Sequence, residues 1–336
     1  MKNITVIGGG SWGTALAQVL CDNNLSVTIY DRNKSVVDDI NQNHQNSKFF
    51  KDVQLPLALK GELELSKALQ DTQYILLAVP TKVIREVLGE INQKLDHPIT
   101  VINASKGIEP GTHKRVSEIV TEVIDPQKLE AFVALSGPSH AEEVILRAVT
   151  TVTCASTNPD KTDEVQSIFN TDYFRVYQID DLLGVEVGGS IKNVIALAAG
   201  ILAGLGFGDN AKAALITRGL VEIQRLGTAL GAKEETFVGL SGLGDLIVTC
   251  TSVHSRNWQA GFKIGSGTNL EETLNSMTMV VEGVRTCQAT YELAKELQIE
   301  MPIVETIYEV VFNKMEPIQA INRLMTRKLR PEFDPA

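Results

Sequence analysis

Cysteine is sparse, and its spacing carries no pattern. Cys21, Cys154, Cys250 and Cys287 form no C-x-x-C pair and none stands beside a histidine at metal-ligand spacing. That excludes a disulfide scaffold or zinc ribbon and reads as reduced thiols in a cytosolic protein. The five histidines form neither H-x-H nor H-x-x-x-H, so no metal site is indicated. Positive charge is also short: the formal net charge is -10 and the longest basic run is Arg327–Arg330. A nucleic-acid or anionic-membrane partner is therefore disfavoured, and an anionic small substrate would need a local positive pocket. Long apolar runs are missing as well. The start, MKNITVIGGGSWG, breaks into glycines too early for a signal peptide. Residues Asn193–Gly208 (NVIALAAGILAGLGFG) contain four glycines, and they fall short of the roughly 20 apolar residues that span a bilayer. A buried core helix is the better reading. No repeat, low-complexity tract or G-x-S-x-G elbow is present.

What is present is alternation. At 336 residues the chain is long enough for two domains with separate cores. Short β-branched runs at Ile4–Ile7, Val27–Tyr30, Tyr74–Val79, Thr100–Asn103, Phe132–Ser136 and Thr150–Cys154 alternate with helical patterns. This predicts an α/β, doubly wound parallel sheet of Rossmann type. Beyond Tyr177 the periodicity turns helical: Asp181–Leu202, Ala211–Leu230, Arg256–Ile264, Arg285–Leu297, Ile303–Phe312 and Pro317–Met325. The expected organisation is a dinucleotide-binding domain over residues 1–180, then an all-helical substrate domain over 181–336. The helix from Asp181 is apolar on nearly every side, as a helix enclosed by others must be, and it could also reach a second subunit.

Gly8, Gly10 and Gly13 spell G-x-G-x-x-G after the first strand and before a helix, with Asp31 ending the second strand. That context makes a weak motif a strong one. Gly8 allows the tight turn, Gly10 clears the pyrophosphate and Gly13 lets helix approach strand, leaving the N–H groups of Ser11 and Trp12 to face phosphate. Asp31 suits the ribose hydroxyls of NAD, whereas Arg32 suits the 2′-phosphate of NADP. The two pull in opposite directions, with a slight tilt to NAD.

Ligands in such sheets bind beyond the carboxyl ends of the strands. There the sequence places Val79-Pro80-Thr81, Lys106 in NASKG, and Gly137 and Ser139 in SGPSH. Lys192 sits among apolar residues in GGSIKNVIAL. It is either a lysine that snorkels to the surface or a partly buried ammonium of lowered pKa, suited to proton transfer with an alcohol oxygen. GLSGLGD at 239–245 lacks the Gly-Lys-Ser/Thr ending of a phosphate loop and is expected to bend the chain and present Asp245. Ser255-Arg256-Asn257 opens a helix. Ser255 is a plausible cap, and Arg256 is either a surface charge or, with the helix start, a phosphate site.

The ordered set GGGSWGTALA, NASKGIE, LSGPSHAEEV, GGSIKNVIALAAG, GLSGLGDLIVTC, SRNWQAG, VVEGVRT and LMTRKLRPE resembles bacterial-type NAD(P)-dependent glycerol-3-phosphate dehydrogenases over nearly the whole chain. The resemblance implies reversible hydride transfer between NAD(P)H and dihydroxyacetone phosphate, with Lys192 exchanging the proton. It implies a substrate pocket of Lys106, Gly137, Ser139, Lys192, Asp245, Ser255, Arg256 and Asn257. Cofactor contacts would come from Ser11, Trp12, Arg32, Lys106, Ala141, Arg256, Val280 and Glu282. It further implies a cytoplasmic homodimer that supplies glycerol 3-phosphate to phospholipid synthesis. The family's second strand usually ends in a small or neutral residue, which Asp31 does not match. The alternatives are a β-hydroxy-acid dehydrogenase, against which the Ser-Arg-Asn segment argues, and a non-catalytic dinucleotide sensor.

Overall fold

The computed structural model describes residues 2–277, 280–329, 331 and 332. Arg330 of the basic run, and Met1 and Ala336 at the outer bounds of the two expected domains, lie outside them. The strands are β1 (Asn3–Ile7), β2 (Ser26–Tyr30), β3 (Lys60–Glu62), β4 (Tyr74–Leu77), β5 (Ile99–Asn103), β6 (Leu129–Ser136), β7 (Thr150–Ala155) and β8 (Phe174–Gln178). Seven helices accompany them: α1 (Ser11–Asp22), α2 (Lys34–Asn43), α3 (Leu65–Leu69), α4 (Thr81–Lys94), α5 (Val116–Val123), α6 (Ala141–Val144) and α7 (Pro159–Phe169). The rest is helical: α8 (Leu182–Gly204), α9 (Asp209–Ala229), α10 (Glu234–Phe237), α11 (Asp245–Thr251), α12 (Arg256–Gly265), α13 (Leu270–Ser276), α14 (Glu282–Glu296), α15 (Pro302–Phe312) and α16 (Pro317–Met325).

The eight strands form one sheet in the order β3-β2-β1-β4-β5-β6-β7-β8. The order reverses between β1 and β4, which is the switch point where a doubly wound sheet opens a crevice. Two strands escape the sequence patterns. β3 is three residues long and carries no apolar run, and β8 has only alternate buried positions, as befits an edge. The expectation of an all-parallel sheet needs one correction: β7 runs antiparallel to β6, pairing Ser136 with Thr153. The connection Gly137–Val149 contains only the four-residue α6 and lacks the full helix that usually makes a parallel crossover.

The helix expected from Asp181 is α8. Its cap, Asp181, accepts from Gly184 N at 2.9 Å and also holds Lys233 N (2.9 Å) and Thr236 Oγ1 (2.6 Å). At 23 residues α8 has the length and apolarity to cross a membrane, yet 83% of that apolar window is buried inside the chain. The apolar stripe is thus satisfied by α9, α11, α12 and α14 packed round it.

Packing against α12 is close because glycines face each other. A Cβ at Gly200 would meet Trp258 O at 2.0 Å and one at Gly204 would meet Phe262 O at 2.3 Å. Reciprocally, Gly261 would meet Leu197 O at 2.0 Å and Gly265 Ile201 O at 2.3 Å. The two backbones touch.

Two carboxylates join the helical part to the sheet. Glu186 on α8 accepts from Ser117 N (2.9 Å), Ser117 Oγ (2.6 Å) and Arg115 Nη1 (2.9 Å) at the start of α5. Glu282 on α14 accepts from Thr81 N (3.0 Å) at the start of α4. Each places negative charge where a helix exposes unpaired N–H groups.

Gly200→Ala should therefore destabilise the protein by about 2 kcal/mol or more, because the new methyl meets backbone that cannot rotate away. Gly89→Ala, in α4 with nothing within 4 Å of the added carbon, should be neutral or stabilising by up to ~1 kcal/mol. Urea unfolding midpoints of the two variants check the contrast; equal effects would contradict the packing account.

Candidate active site

The chain turns sharply after β1 and enters α1. Gly8 has φ +110, and a Cβ on Gly13 would lie 2.0 Å from Gly8 O, so both positions serve the turn itself. Gly10 differs. A Cβ there would touch nothing within 4 Å and would project into a cleft that Gly10, Ser11 and Trp12 line. Gly10 supplies no side-chain cap to α1, so the first N–H groups of that helix are left to a ligand. These features fit the pyrophosphate of a dinucleotide. Two side chains also hold the turn. Buried Asn46 donates to Gly9 O (2.9 Å) and Thr14 Oγ1 (2.8 Å), and Trp12 Nε1 donates to Ala104 O at 3.2 Å.

The cleft, about 410 Å³, lies over the carboxyl ends of β1, β4, β5 and β6 and is closed by the helical part. It brings together Gly10, Ser11, Trp12, Lys106, Ser139, Ala141, Lys192, Ser255, Arg256, Asn257, Val280 and Glu282, twelve of the positions singled out in the sequence. Gly8 and Gly13 lie beneath the turn. Gly137 stands behind Lys106, its carbonyl accepting from Lys106 Nζ at 3.1 Å. Asp31 and Arg32 lie off the cleft wall. Asp31 Oδ2 accepts from Gly9 N at 2.7 Å, and Arg32 is paired with Glu86 and Glu90.

Asp245 also lies off the wall, only 1% exposed. A single π-helical turn at Leu240–Gly244 leads into α11 and sets Asp245 behind two lysines. One carboxylate oxygen pairs with Lys192 Nζ, the other with Lys106 Nζ at 2.6 Å. Lys192 also donates to Thr249 Oγ1 at 2.7 Å, and that hydroxyl donates to Asp245 O at 2.6 Å.

The snorkelling alternative for Lys192 does not hold, since the residue is buried. Burial pushes its ammonium down to about 8, against the pull of Asp245 and with the help of the Lys106 charge. For Asp245 burial acts upward, but the two ammonium groups prevail and hold its carboxyl below the usual range. A lysine of this kind can give and take a proton near neutral pH.

Ser255 caps α12, its Oγ accepting from Trp258 N at 3.3 Å. Arg256 follows as the first helical residue and makes no hydrogen bond or ion pair among the described residues. Burial pulls its pKa below the usual arginine value, although Glu142 and Glu282 stand near enough to oppose the shift. An unpaired guanidinium at a helix N-terminus is a ready anion site. Asn257 is partly committed, accepting from Gly283 N (2.8 Å) and donating to Asn193 Oδ1 (2.9 Å).

Thr249, Asn193 and Asn46 are absent from the sequence-based set. Thr249 was within reach of it, because it stands four residues after Asp245 and so shares its helix face. Asn46 sits in a loop with no periodic signal.

A doubly wound sheet whose glycine turn opens on a cleft shared with a buried lysine of lowered pKa defines a nicotinamide-dinucleotide oxidoreductase. The particular family follows from comparison. Residues 3–162 match the family model for the NAD-dependent glycerol-3-phosphate dehydrogenase N-terminus and residues 181–322 that for its C-terminus. The chain belongs to this family. It is 58% identical over 335 residues to the glycerol-3-phosphate dehydrogenase (NAD(P)+) of Geobacillus thermodenitrificans, covering 99% of this chain and 97% of that protein. The crystal structure of the Coxiella burnetii glycerol-3-phosphate dehydrogenase superposes with a TM-score of 0.92 at 34% identity, over 97% of this chain and 99% of that one. The Saccharomyces cerevisiae enzyme gives 0.82 at 27%, over 96% and 98%.

Removing the shared carboxylate should expose the cost of this arrangement. Asp245→Asn leaves two ammonium groups facing each other in a buried site, and it should lose about 3 kcal/mol of stability or more. Chemical denaturation measures this; an unchanged midpoint would mean that the lysines are solvated independently of Asp245.

Proposed function

We propose that this protein interconverts dihydroxyacetone phosphate and sn-glycerol 3-phosphate with NADH or NADPH, and that Lys192 moves the proton. The observation that carries this reading is one buried ammonium, Lys192, coupled through Asp245 to Lys106 in the cleft that also holds the glycine turn and Arg256. A nicotinamide held in this cleft would supply the hydride for C2 of the ketone, or take it up in the reverse direction. On reduction, protonated Lys192 gives its proton to the C2 oxygen; on oxidation, neutral Lys192 takes the hydroxyl proton. A pKa near 8 serves both directions, because neither protonation state is rare at neutral pH.

Lys106 holds the C2 oxygen beside Lys192, and Asp245 fixes the spacing of the two ammonium groups from behind. The Arg256 fork and the free N–H groups opening α12 anchor the phosphate, with Asn257, Ser255, Ser139 and the Gly137 turn shaping the pocket round it. Anchoring the distant phosphate fixes C2 and turns binding energy into orientation. Ser11, Trp12, Ala141, Val280 and Glu282 line the dinucleotide's end of the cleft. In this reading residues 1–180 hold the cofactor and residues 181–336 supply proton transfer and phosphate binding. Family membership supports a cytoplasmic homodimer that provides glycerol 3-phosphate for phospholipid synthesis.

The test follows NADH or NADPH absorbance in the near ultraviolet with dihydroxyacetone phosphate, using dihydroxyacetone as the phosphate-free control. Oxidation that requires the phosphate is expected; no oxidation by protein shown to bind the cofactor would overturn the assigned substrate. Lys192→Ala should lower kcat by about 100-fold to 10,000-fold while leaving cofactor binding intact. Lost cofactor binding in that variant would make Lys192 structural.

The pH dependence has a defined sign. Reduction needs the protonated lysine, so kcat/KM for dihydroxyacetone phosphate should fall as pH rises through about 8. Oxidation of glycerol 3-phosphate needs the neutral form and should rise over the same interval. Profiles of the same sign in both directions would exclude Lys192 as the titrating group.

A further inference from the structure

The turn after the second strand of a dinucleotide-binding sheet meets the adenosine ribose. There a carboxylate takes the 2′-hydroxyl of NADH, or an arginine takes the 2′-phosphate of NADPH. Both residue types stand here side by side, but their partners differ. Asp31 is fixed against the glycine turn, with Oδ2 accepting from Gly9 N at 2.7 Å and Oδ1 from Asn33 N at 2.8 Å. Arg32 turns away to α4, where Nη1 meets Glu86 Oε1 at 3.3 Å and Nη2 meets Glu90 Oε1 at 2.7 Å.

Three further donors close by are engaged. Ser35 N and Oγ both donate to Asn33 Oδ1, at 3.0 and 2.8 Å, and Lys34 pairs with Asp38. Arg32 and Lys34 are thus each already paired, and the carboxylates of Asp31, Asp38, Glu86 and Glu90 stand beside them.

We propose that Glu86 and Glu90 are specificity-determining residues: by engaging Arg32 they withhold it from a 2′-phosphate and, with Asp31, make the site select NADH over NADPH. The proposal rests on the dinucleotide-binding reading above and goes beyond it. A 2′-phosphate would meet the fixed charge of Asp31 and would have to draw Arg32 off two glutamates. The hydroxyls of NADH meet a carboxylate that still has unused lone pairs, since each oxygen accepts two bonds. Arg32, Glu86 and Glu90 are 54%, 62% and 39% exposed, and exposed ion pairs are worth at most about fivefold each. Their share of the discrimination is therefore severalfold, and the charge of Asp31 supplies the rest.

Calorimetric titration of the full-length protein with NADH and separately with NADPH, without substrate, tests this apart from turnover. The unmodified protein should bind NADH about tenfold or more tightly than NADPH, as fixed like charge against one ligand requires. Glu86→Gln with Glu90→Gln should strengthen NADPH binding by about threefold or more and change NADH binding by less than about twofold. Arg32→Ala should leave NADPH binding unchanged in the unmodified background and cancel the gain in the double variant. Equal affinities in the unmodified protein, or a double variant whose NADPH affinity does not rise, would overturn the proposal while leaving the dinucleotide site standing. Folded protein that binds neither dinucleotide would overturn that reading together with the proposal.

Discussion

The contact on which the rest depends is the buried bridge from Lys106 through Asp245 to Lys192. Its three members come from the loop after β5, the start of α11 and the middle of α8, so it forms only when the helical part is seated on the sheet. Two ammonium groups that share one carboxylate leave a net positive charge in a desolvated place. Such an arrangement is costly to assemble and is tolerated where the charge meets a ligand. Burial pulls the pKa of Lys192 down while Asp245 pulls it back, and the balance point lies where proton exchange is useful. With full burial and no carboxylate the lysine would be neutral too often to act as an acid. With a surface carboxylate and no burial it would hold its proton too firmly to act as a base.

Much of the remaining architecture can be understood as holding this bridge still. The glycine contact between α8 and α12 brings two backbones together, so the N-terminus of α12, with Arg256, is set at a fixed distance from Lys192 on α8. Glu186 and Glu282 then pin α8 and α14 to the first turns of α5 and α4. These carboxylates are themselves buried, and burial leaves both above the usual carboxylate range. They are stabilised by backbone N–H groups that would otherwise lack partners, and for Glu186 by Arg115 as well. The joint between sheet and helices thus satisfies helix ends on one side and positions helices on the other.

The fold was largely legible because its core elements carry strong periodic signals: β-branched runs in β1, β4 and β5, and unbroken apolarity in α8. β3 and β8 were not, since an edge strand is only half buried and β3 makes only three pairs. The antiparallel β7 was illegible because strand direction is set by the connection, and β-branched composition is the same either way. Among site residues, those at strand ends and helix starts could be placed by position along the chain. The partners of Asp31 and Arg32 could not be, because Gly9, Glu86 and Glu90 reach them through the crossover geometry of the sheet. Asn46 eluded pattern reading for a similar reason: it is a buried polar side chain from an irregular loop, satisfied by the glycine turn it supports.

A chain with net charge -10 that takes phosphorylated ligands presents an apparent conflict, which distance resolves. At physiological ionic strength charges on the outer surface are screened beyond roughly 8 Å, so the acidic exterior contributes little inside a cleft between sheet and helices. There Lys106, Lys192 and Arg256 converge, one carboxylate serves two of them, and the third has no partner among the described residues. Low-dielectric walls strengthen each of these charges relative to water. The acidic exterior still has an effect, because it opposes unselective capture of polyanions, whose charges extend over many screening lengths. A small phosphate ester is short enough to lie wholly within the positive pocket. The sign of the bulk charge and the sign of the site are therefore both consistent with a small anionic substrate.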